Sequence, residues 1–247
     1  MNQTLKNKRA LVTGGSRGIG AAIVKRLAGE GANVTLTYSN SPHRANEVVK
    51  AAQASGVRCL AIQADSADAT AVVAAVERTV SELGGIDILV NNAGIAVMGP
   101  LESFKLADFD RTLAINVRAV FVAAQAAVKH MKDGGRIINI SSTNAERIPF
   151  AGGGVYATSK SALHGLVQGL ARDLGPRGIT INNVQPGPVN TEMNPDDGEF
   201  AEMLKKMNAL PRYGKAEEIA GMVAYLAGPE AAYITGASLM IDGGLSA

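Results

Sequence analysis

The sequence predicts one α/β domain, a doubly wound parallel sheet of about seven strands with helices on both faces. Three observations lead to this prediction. Short apolar segments alternate with longer amphipathic segments along the whole chain. The short segments are apolar almost throughout, as strands buried on both faces are. A chain of 247 residues with 47% hydrophobic content is also long enough to bury one complete core.

The strands follow one another at intervals that leave room for a helix between them. Right-handed crossovers between parallel strands place these helices on both faces and the ligand site at the carboxyl ends of the strands. The predicted strands are Arg9–Val12, Asn33–Tyr38, Arg58–Gln63, Ile86–Val90, Arg136–Ile140, Thr180–Gln185 and Leu239–Ile241.

Capping residues indicate several helix boundaries. Ser41 before Pro42 predicts an N-cap followed by proline in the first turn. Ser66 predicts the N-cap of a helix whose core face would comprise Val72, Val73, Val76, Val80 and Leu83. Gly175-Pro176 predicts the end of a helix over Val155–Gly175.

Charge and composition argue against several kinds of partner. The chain has 24 basic and 22 acidic residues and no basic run with interleaved aromatics, so we expect no nucleic-acid partner. Met1–Lys8 is polar, and no apolar run reaches the roughly 18 residues of a membrane span. We therefore expect no signal peptide, no membrane association and a cytoplasmic location. Cys59 is the single cysteine and is expected to be inert in the third strand. No metal site is predicted.

A glycine-rich turn follows the first strand and opens the first helix. Gly14, Gly18 and Gly20 allow a tight turn and a close approach of the backbone to a pyrophosphate, which the helix N-terminus would also attract. The spacing is Gly-x-x-x-Gly-x-Gly rather than Gly-x-Gly-x-x-Gly, so an ordinary strand-to-helix turn is the alternative. The same turn contains Ser16, Arg17 and Ile19.

Tyr156 and Lys160 are spaced to share one face of a helix. A nearby cation favours the phenolate and lowers the pKa of a tyrosine. Lowering that pKa from about 10 to about 7 requires roughly 4 kcal/mol of differential stabilisation. We therefore expect Lys160 to lower the pKa of Tyr156 and to make it a general acid and base.

Six motifs occur in a fixed order along essentially the whole chain. They are Thr13-Gly14-x-x-x-Gly18-x-Gly20, Asn91-Asn92-Ala93-Gly94, Asn116, Ser142, Tyr156-x-x-x-Lys160 and Pro186-Gly187. In these motifs the sequence resembles the short-chain dehydrogenases/reductases, and in particular the branch that includes 3-oxoacyl-acyl-carrier-protein reductases. The resemblance implies a Rossmann fold that transfers a hydride between a nicotinamide cofactor and a ketone or secondary alcohol.

The resemblance also implies the catalytic roles. Tyr156 would donate the proton, Lys160 would hold the nicotinamide ribose, and Ser142 would orient the carbonyl oxygen. Ser141 is the rival of Ser142 for that role, although the spacing of the family favours Ser142. Asn116 would hold a water that relays protons to Lys160. Alternatively, it bonds a backbone carbonyl at a helix kink, and both roles are compatible.

The end of the second strand indicates the cofactor. No carboxylate occurs between Glu30 and Glu47 to accept the ribose 2′-hydroxyl of NAD(H), and Arg17 stands where NADP-binding relatives often carry a basic residue. We therefore favour NADP(H), with NAD(H) as the alternative. Arg44 is a further candidate for the 2′-phosphate. Asp65 either contacts adenine or flanks the Ser66 cap. The other expected cofactor contacts are Tyr38, Ser39, Asn40, Ser66, Asn92, Ala93, Gly94, Pro186, Gly187, Val189 and Thr191.

The C-terminal third suggests a mobile lid and an assembly. The segment at about 190–212 contains a short amphipathic helix with methionines, which suits an adaptable cover for a small carbonyl substrate. In the resembling family, the helix that carries Gly165 and Gly169 and the helix over Val117–Met131 pack between subunits. The stretch Ile234–Gly244 would form a second contact. We expect a homotetramer, with a dimer as the alternative.

Two readings from other classes compete. Gly14-x-Ser16-x-Gly18 also fits the nucleophile turn of a hydrolase. Against that reading, His43, His130 and His164 are the only histidines, and none has an evident acidic partner in the sequence. The second alternative is a regulatory nucleotide-binding protein of the same fold without significant turnover.

Overall fold

A seven-stranded parallel sheet of order β3-β2-β1-β4-β5-β6-β7 forms the centre of the structure, a computed structural model that describes residues 3–247. The first two residues of the polar segment Met1–Lys8 lie outside this range. The strands are β1 (Arg9–Val12), β2 (Asn33–Tyr38), β3 (Cys59–Gln63), β4 (Ile86–Asn91), β5 (Met131–Ile140), β6 (Thr180–Pro186) and β7 (Ser238–Ile241).

Helices connect the strands and cover both faces of the sheet. They are α1 (Gly18–Gly29), α2 (Pro42–Gln53), α3 (Ala69–Leu83), α4 (Leu106–Leu113), α5 (Ala119–Ala127), α6 (Gly154–Leu174), α7 (Gly198–Met207) and α8 (Ala216–Ala227). A π-helical turn, Ala114–Arg118, joins α4 to α5. No helix within residues 3–247 is both long enough and apolar enough to cross a membrane.

The order of the strands reverses between β1 and β4. The chain runs outward from β1 through β2 to β3, and then crosses back so that β4 pairs with the other side of β1. Loops after β1 and β4 therefore leave the sheet in opposite directions. Such a reversal opens a crevice at the carboxyl ends of the strands, where ligands of doubly wound sheets bind.

The core has two layers because both faces of the sheet are apolar. Neighbouring residues of a strand point to opposite faces. Val12 packs into the layer that contains α1, α2 and α8, whereas Leu11 packs into the layer that contains α3, α5 and α6. The predicted doubly wound α/β architecture is therefore confirmed.

The predicted strand positions agree with the structure except at five strand starts or ends. β1 and β2 have the predicted bounds, while β5 begins at Met131 instead of Arg136. A bulge explains the difference, because the single residue Asp87 of β4 lies opposite the four residues 132–135 of β5. Those four residues read as a turn, and Gly134 has a positive φ of 82°. The sequence alone could not show that β5 pairs with β4 both before and after residues 132–135. Smaller shifts of one residue occur at β3, β4, β6 and β7.

At the helix starts, the predicted cap of α3 was wrong, whereas Ser41 as N-cap of α2 with Pro42 in its first turn is confirmed. Asp68 caps α3 instead of Ser66, and its carboxylate accepts a hydrogen bond of 2.8 Å from the backbone N–H of Thr70. Ser41 does precede α2, but its side chain makes no capping hydrogen bond. Val73 was expected in the core face of α3 and is 38% exposed instead, while Ala75 and Thr79 are buried there.

The end of α6 differs from the prediction in the residue that stops it. The helix ends at Leu174, and Gly175–Arg177 continue as a 3-10 turn. The left-handed residue that closes this turn is Gly178, with φ of 62°, whereas Gly175 keeps a right-handed helical conformation. Proline at 176 is compatible with a tighter turn, so the chain reverses three residues later than the Gly-Pro pair suggested.

An ion pair between Arg9 and Asp87 joins β1 to β4 at the end of the sheet opposite the crevice. The guanidinium donates to both carboxylate oxygens, at 2.7 and 2.9 Å, and the Arg9 backbone N–H donates at 2.9 Å. Both side chains are less than one-fifth exposed. Burial raises the pKa of Asp87, but the hydrogen bonds from Arg9 outweigh it and hold that pKa below its ordinary 3.8.

This lowered pKa predicts how stability depends on pH. A carboxyl whose folded-state pKa lies below its unfolded value stabilises the fold above the unfolded pKa, and loses that contribution as pH falls through the folded pKa. Asp87→Asn is therefore expected to lower the free energy of unfolding by about 1–3 kcal/mol at neutral pH. It should also flatten the loss of stability below about pH 4. Urea unfolding at several pH values measures both effects. Asp133→Asn is the control, because Asp133 pairs with Arg177 while 81% exposed and should change little.

Candidate active site

One large cleft of about 850 Å³ lies at the carboxyl ends of the strands. Its wall runs from the glycine turn after β1 to the start of α6, so it contains both ends of the predicted site. All the expected cofactor residues line it: Gly14, Ser16, Arg17, Gly18, Ile19, Gly20, Tyr38, Ser39, Asn40, Asp65, Ser66, Asn92, Ala93, Gly94, Tyr156, Lys160, Pro186, Gly187, Val189 and Thr191. The fold thus brings them together, while their individual roles stay predictions.

The glycine turn is packed too tightly for side chains. A Cβ on Gly20 would lie 2.3 Å from the carbonyl oxygen of Gly14 and 2.5 Å from Nδ2 of Asn92. Gly14 has φ of 63°, and a Cβ there would lie 2.9 Å from Cα of Ala93. The turn can therefore bring its backbone against a ligand at the N-terminus of α1, where no side chain caps the helix.

The turn after β4 holds the glycine turn in place. Nδ2 of Asn92 donates to the carbonyl oxygens of Thr13 and Gly14, each at 3.0 Å. In return, the hydroxyl of Thr13 accepts from the backbone N–H groups of Asn92 and Ala93, each at 3.0 Å. These bonds cross the point where the strand order reverses, so they fix the shape of the crevice.

Two arginines and a carboxylate lie at the end of the cleft beside β2. The segment from Thr37 to Ser41 lines the cleft and contains no carboxylate. Arg17 and Arg44 converge there on Glu192, which follows β6. Oδ1 of Asp65 accepts from the backbone N–H of Ala67 at 2.9 Å, so Asp65 shapes the loop that precedes α3.

Ser142, Tyr156 and Lys160 meet in the cleft beyond the end of β5. Nζ of Lys160 donates to the carbonyl oxygen of Ile140 at 2.8 Å and lies 5.8 Å from the centre of the Tyr156 ring. The hydroxyl of Ser142 accepts from the N–H of Asn144 at 3.1 Å and lies near enough to the Tyr156 hydroxyl to lower its pKa. Both serine and tyrosine hydroxyls therefore face one place where a substrate oxygen could bind.

The expected lowering of the pKa of Tyr156 by Lys160 is contradicted. Desolvation raises the pKa of Tyr156, and the hydrogen bond with Ser142 offsets only part of this increase. Burial also lowers the pKa of Lys160 to about 8. The ammonium lies over the ring face and is bonded to a main-chain carbonyl, so desolvation dominates over its attraction for a phenolate.

Ser141, the rival for the role of Ser142, has a structural contact instead. Its side chain is buried, and its hydroxyl donates to the carbonyl oxygen of Lys160 at 3.1 Å. This bond ties the end of β5 to α6 and so helps to set the distance between Ser142 and Tyr156. The alternation of the strand explains why the two neighbouring serines differ.

Asn116 lies behind the cleft in the π-helical turn and is 1% exposed. Its Oδ1 accepts from the backbone N–H of Ile95, and its Nδ2 donates to the carbonyl oxygen of Ile95, each at 2.9 Å. Nδ2 also donates to the hydroxyl of Ser159 at 2.9 Å. The expected bond to a backbone carbonyl at a helix irregularity is thus present, although the carbonyl belongs to the loop after β4. A Cβ on Gly94 would lie 3.4 Å from both Oδ1 of Asn116 and Nζ of Lys160, so the two polar groups are close neighbours.

Several contacts of the site were not foreseen. Phe150 and Phe200 pack edge to face, with ring centres 5.5 Å apart, and so join the loop before α6 to the helix α7 of the expected lid. Behind Ser142, the buried amide of Gln185 contacts both His164 and Glu146. These pairs are distant in sequence and have no local pattern that would reveal them.

The histidines do have acidic partners, contrary to expectation. His164 lies 3.0 Å from Glu146, and the other two are also close to glutamates, at 2.9 Å for His130 and 3.6 Å for His43. No hydrogen bond joins a histidine to Ser16 among residues 3–247, so these pairs give no support to the hydrolase reading. In the same part of the chain, no three side chains of His, Cys, Asp or Glu are grouped to hold a metal ion.

Comparison with known proteins assigns the family. A family model described as enoyl-(acyl carrier protein) reductase matches residues 14–246. The chain belongs to the short-chain dehydrogenase/reductase family. A short-chain dehydrogenase/reductase from Serratia marcescens BCRC 10948 has 66% sequence identity and a TM-score of 0.98, over 99% of this chain and 100% of that chain. This likeness confirms the predicted Rossmann-type fold.

One further solved structure and one relative are relevant to the function. The structure of a short-chain dehydrogenase from Burkholderia cenocepacia J2315 in complex with NADP has 56% identity and a TM-score of 0.97, over 99% of this chain and 100% of that chain. The cyclic-di-GMP-binding biofilm dispersal mediator protein of Escherichia coli K12 is 50% identical over 240 residues, which are 97% of this chain and 98% of the relative.

The bonds of Asn116 predict a structural role that does not depend on a cofactor. Asn116→Ala would remove the side-chain partners of the partly buried N–H and C=O of Ile95, which is expected to lower the free energy of unfolding by about 1–3 kcal/mol. Ser142→Ala, which removes a hydroxyl from the cleft, should cost clearly less. Thermal or urea unfolding of both variants without added nucleotide is the measurement. Equal stability of Asn116→Ala and the parent protein would leave the water-relay role as the sole function of this residue.

Proposed function

We propose that the protein is an NADP(H)-dependent oxidoreductase that transfers a hydride between the nicotinamide and a ketone or secondary alcohol, with Tyr156 as general acid and base. The observation that carries this proposal is the meeting of Ser142, Tyr156 and Lys160 in the same cleft as the glycine turn. If the glycine turn served only to connect β1 to α1, there would be no reason for two hydroxyls and a buried ammonium to lie in the same cleft.

The cleft fits a phosphorylated dinucleotide. The absence of space for a Cβ at Gly20 leaves a backbone cradle for the pyrophosphate at the start of α1. Arg17 with Ser39 and Asn40 would hold the 2′-phosphate, Asp65 and Ser66 the adenine, and Lys160 the nicotinamide ribose. When bound, the nicotinamide supplies or accepts the hydride. The relative from Burkholderia cenocepacia, in complex with NADP, supports NADP(H) over NAD(H), which remains the alternative.

The remaining expected contacts lie along the middle of the cleft. Residues after β4 and β6 line the part between the glycine turn and Tyr156, where the nicotinamide half would bind. We assign this part to Asn92, Ala93, Gly94, Pro186, Gly187, Val189 and Thr191.

The chemistry of the chain concerns the substrate oxygen. Hydride transfer to a ketone develops negative charge on its oxygen, which preorganised donors stabilise. The Ser142 hydroxyl would orient that oxygen, and Tyr156 would protonate it. The raised pKa of Tyr156 keeps its hydroxyl protonated at neutral pH, which is the state that reduction requires. Asn116 would place a water to return protons through Lys160.

The substrate is proposed to be a small apolar carbonyl compound or the corresponding alcohol. Beyond the two hydroxyls, the cleft is lined by apolar side chains of the loop before α6 and of the segment at about 190–212: Met98, Pro149, Phe150, Met193, Phe200 and Leu204. This segment would cover the bound substrate, and methionines allow its surface to adapt to different shapes.

We further propose that one domain over residues 1–247 acts as a homotetramer in the cytoplasm, without a nucleic-acid or membrane partner. Large apolar side chains are exposed within two of the expected contacts, Phe121 on α5 and Met240 in the C-terminal stretch, and Tyr233 is exposed beside that stretch. Burial of such side chains between subunits would remove apolar surface from water. A dimer would cover only one of these regions.

A regulatory nucleotide-binding protein is the second candidate. The relative from Escherichia coli K12, named as a cyclic-di-GMP-binding biofilm dispersal mediator, favours it. Against it, this chain keeps Asn116, Ser142, Tyr156 and Lys160 in one arrangement that a binding protein would not require.

Tyr156→Phe separates these two candidates. Loss of the acid is expected to lower turnover by roughly 10²–10⁴-fold, while cofactor binding is retained. The assay follows absorbance of NADPH or NADH with a panel of ketones, diketones and β-keto esters. Tyr225→Phe is the control, since Tyr225 lies 47% exposed on α8. Near-normal turnover in Tyr156→Phe would refute the assigned acid. A parent protein that is stabilised by NADPH but turns over no carbonyl compound would favour the regulatory candidate.

Arg17→Ala tests the choice of cofactor. If the guanidinium contacts the 2′-phosphate, its removal should weaken binding of NADPH by about tenfold or more and that of NADH much less. Fluorescence titration of each cofactor gives the two dissociation constants. Arg78→Ala serves as the control. Arg78 carries the same charge but pairs with Glu82 on α3 and does not line the cleft. Equal losses for both cofactors would show that Arg17 does not contact the 2′-phosphate.

A further inference from the structure

Glu192 joins two arginines at the adenosine end of the cleft. A single carboxylate oxygen, Oε2, accepts from Nη1 of Arg17 at 3.2 Å and from Nη1 of Arg44. Arg17 precedes α1, and Arg44 lies in the first turn of α2. Glu192 comes from the segment after β6, more than a hundred residues later. Three parts of the chain therefore meet in one charged cluster.

The cluster resembles an anion site that the protein occupies with its own carboxylate. Two guanidinium groups that converge on one oxygen suit a phosphate, whose several oxygens can accept from both. The two arginines hold the pKa of Glu192 below its ordinary value, so its carboxylate is ionised at neutral pH. Glu192 is about half exposed, and Arg17, Ser39 and Asn40 line the same cleft. The carboxylate is thus accessible to a competing anion from the cleft.

We propose that Glu192 competes with the 2′-phosphate of NADP(H) for Arg17 and Arg44, and so limits how strongly the protein prefers the phosphorylated cofactor. This inference rests on the proposed function, because it assumes that the adenosine end binds there. A 2′-phosphate carries more negative charge than one carboxylate, so it would displace Glu192 instead of sharing the arginines with it. The unphosphorylated cofactor carries no charge at this position and would leave the cluster intact.

The displacement would also free the start of the expected lid. Thr191 packs against the glycine turn, with its Cγ2 3.4 Å from the position that a Cβ on Gly18 would occupy. The next residue, Glu192, is paired with Arg17 in the same turn and with Arg44 in α2. Release of the carboxylate therefore loosens the segment that leads to α7 when the phosphorylated cofactor binds, and leaves it tied when NADH binds.

Glu192→Gln tests the competition by binding and without turnover. Exposed ion pairs are individually weak, so we expect NADPH to bind about 3- to 10-fold more tightly and NADH to bind no more tightly than before. Isothermal titration with 2′,5′-ADP and 5′-AMP should show the same contrast, since they differ in the phosphate alone. Glu199→Gln is the matched control, because it removes the same charge from the first turn of α7. Melting temperatures verify that each variant is folded. Glu192→Ala repeats the test with a side chain that has no amide to contact the phosphate or the arginines.

The possible results are distinct. The competition is supported if both Glu192 variants bind NADPH and 2′,5′-ADP more tightly than the parent protein does, while Glu199→Gln binds them as the parent does. An unchanged ratio of NADPH to NADH affinity overturns it. Weaker binding of NADPH also overturns it, because Glu192 would then hold the arginines in place for the phosphate. If the parent protein binds neither NADPH nor 2′,5′-ADP, the proposal of NADP(H) as cofactor is refuted, and the proposed competition is refuted with it.

Discussion

The hydrogen bonds between the turn after β1 and the turn after β4 are the constraint on which the site depends. Thr13 and Asn92 bond each other's backbone across the point where the strand order reverses. Gly20 packs against the same contacts with no room for a side chain. These bonds hold both turns in one unit, in which the glycine turn lines the cleft. The sheet supports this unit from below through the buried residues of β1 and β4.

Desolvation decides the electrostatics at the opposite end of the cleft. Burial lowers the pKa of Lys160 to about 8, and burial of Tyr156 itself raises the pKa of its hydroxyl. The site therefore presents a protonated hydroxyl pair, Ser142 and Tyr156, toward the cleft. At the end of the cleft beside β2 the balance is reversed, since exposed arginines are paired with a half-exposed carboxylate. The two ends of the cleft thus differ in how far their charged groups are removed from water.

Much of the fold and of the site could be predicted from local patterns. Apolar segments located the strands, because burial on both faces leaves little choice of residue. The predicted cofactor residues line the cleft, except the further candidate Arg44. The failures occur where one local signal competes with another. Asp68 caps α3 in place of Ser66, and the turn-like residues 132–135 are enclosed within β5. Both outcomes depend on how neighbouring elements pack, and the sequence of one segment does not determine that packing.

The sequence by itself determined the order of strands and helices, the glycine turn, and the spacing of Tyr156 and Lys160 on one helix face. These properties follow from the periodicity of the chain and from the need for glycine in a tight turn. The tertiary structure alone decided that the ammonium of Lys160 bonds Ile140, that Asn116 satisfies the backbone of Ile95, and that Glu192 bridges two arginines. Each of these contacts joins residues of different elements, which come within reach of one another only when those elements pack together.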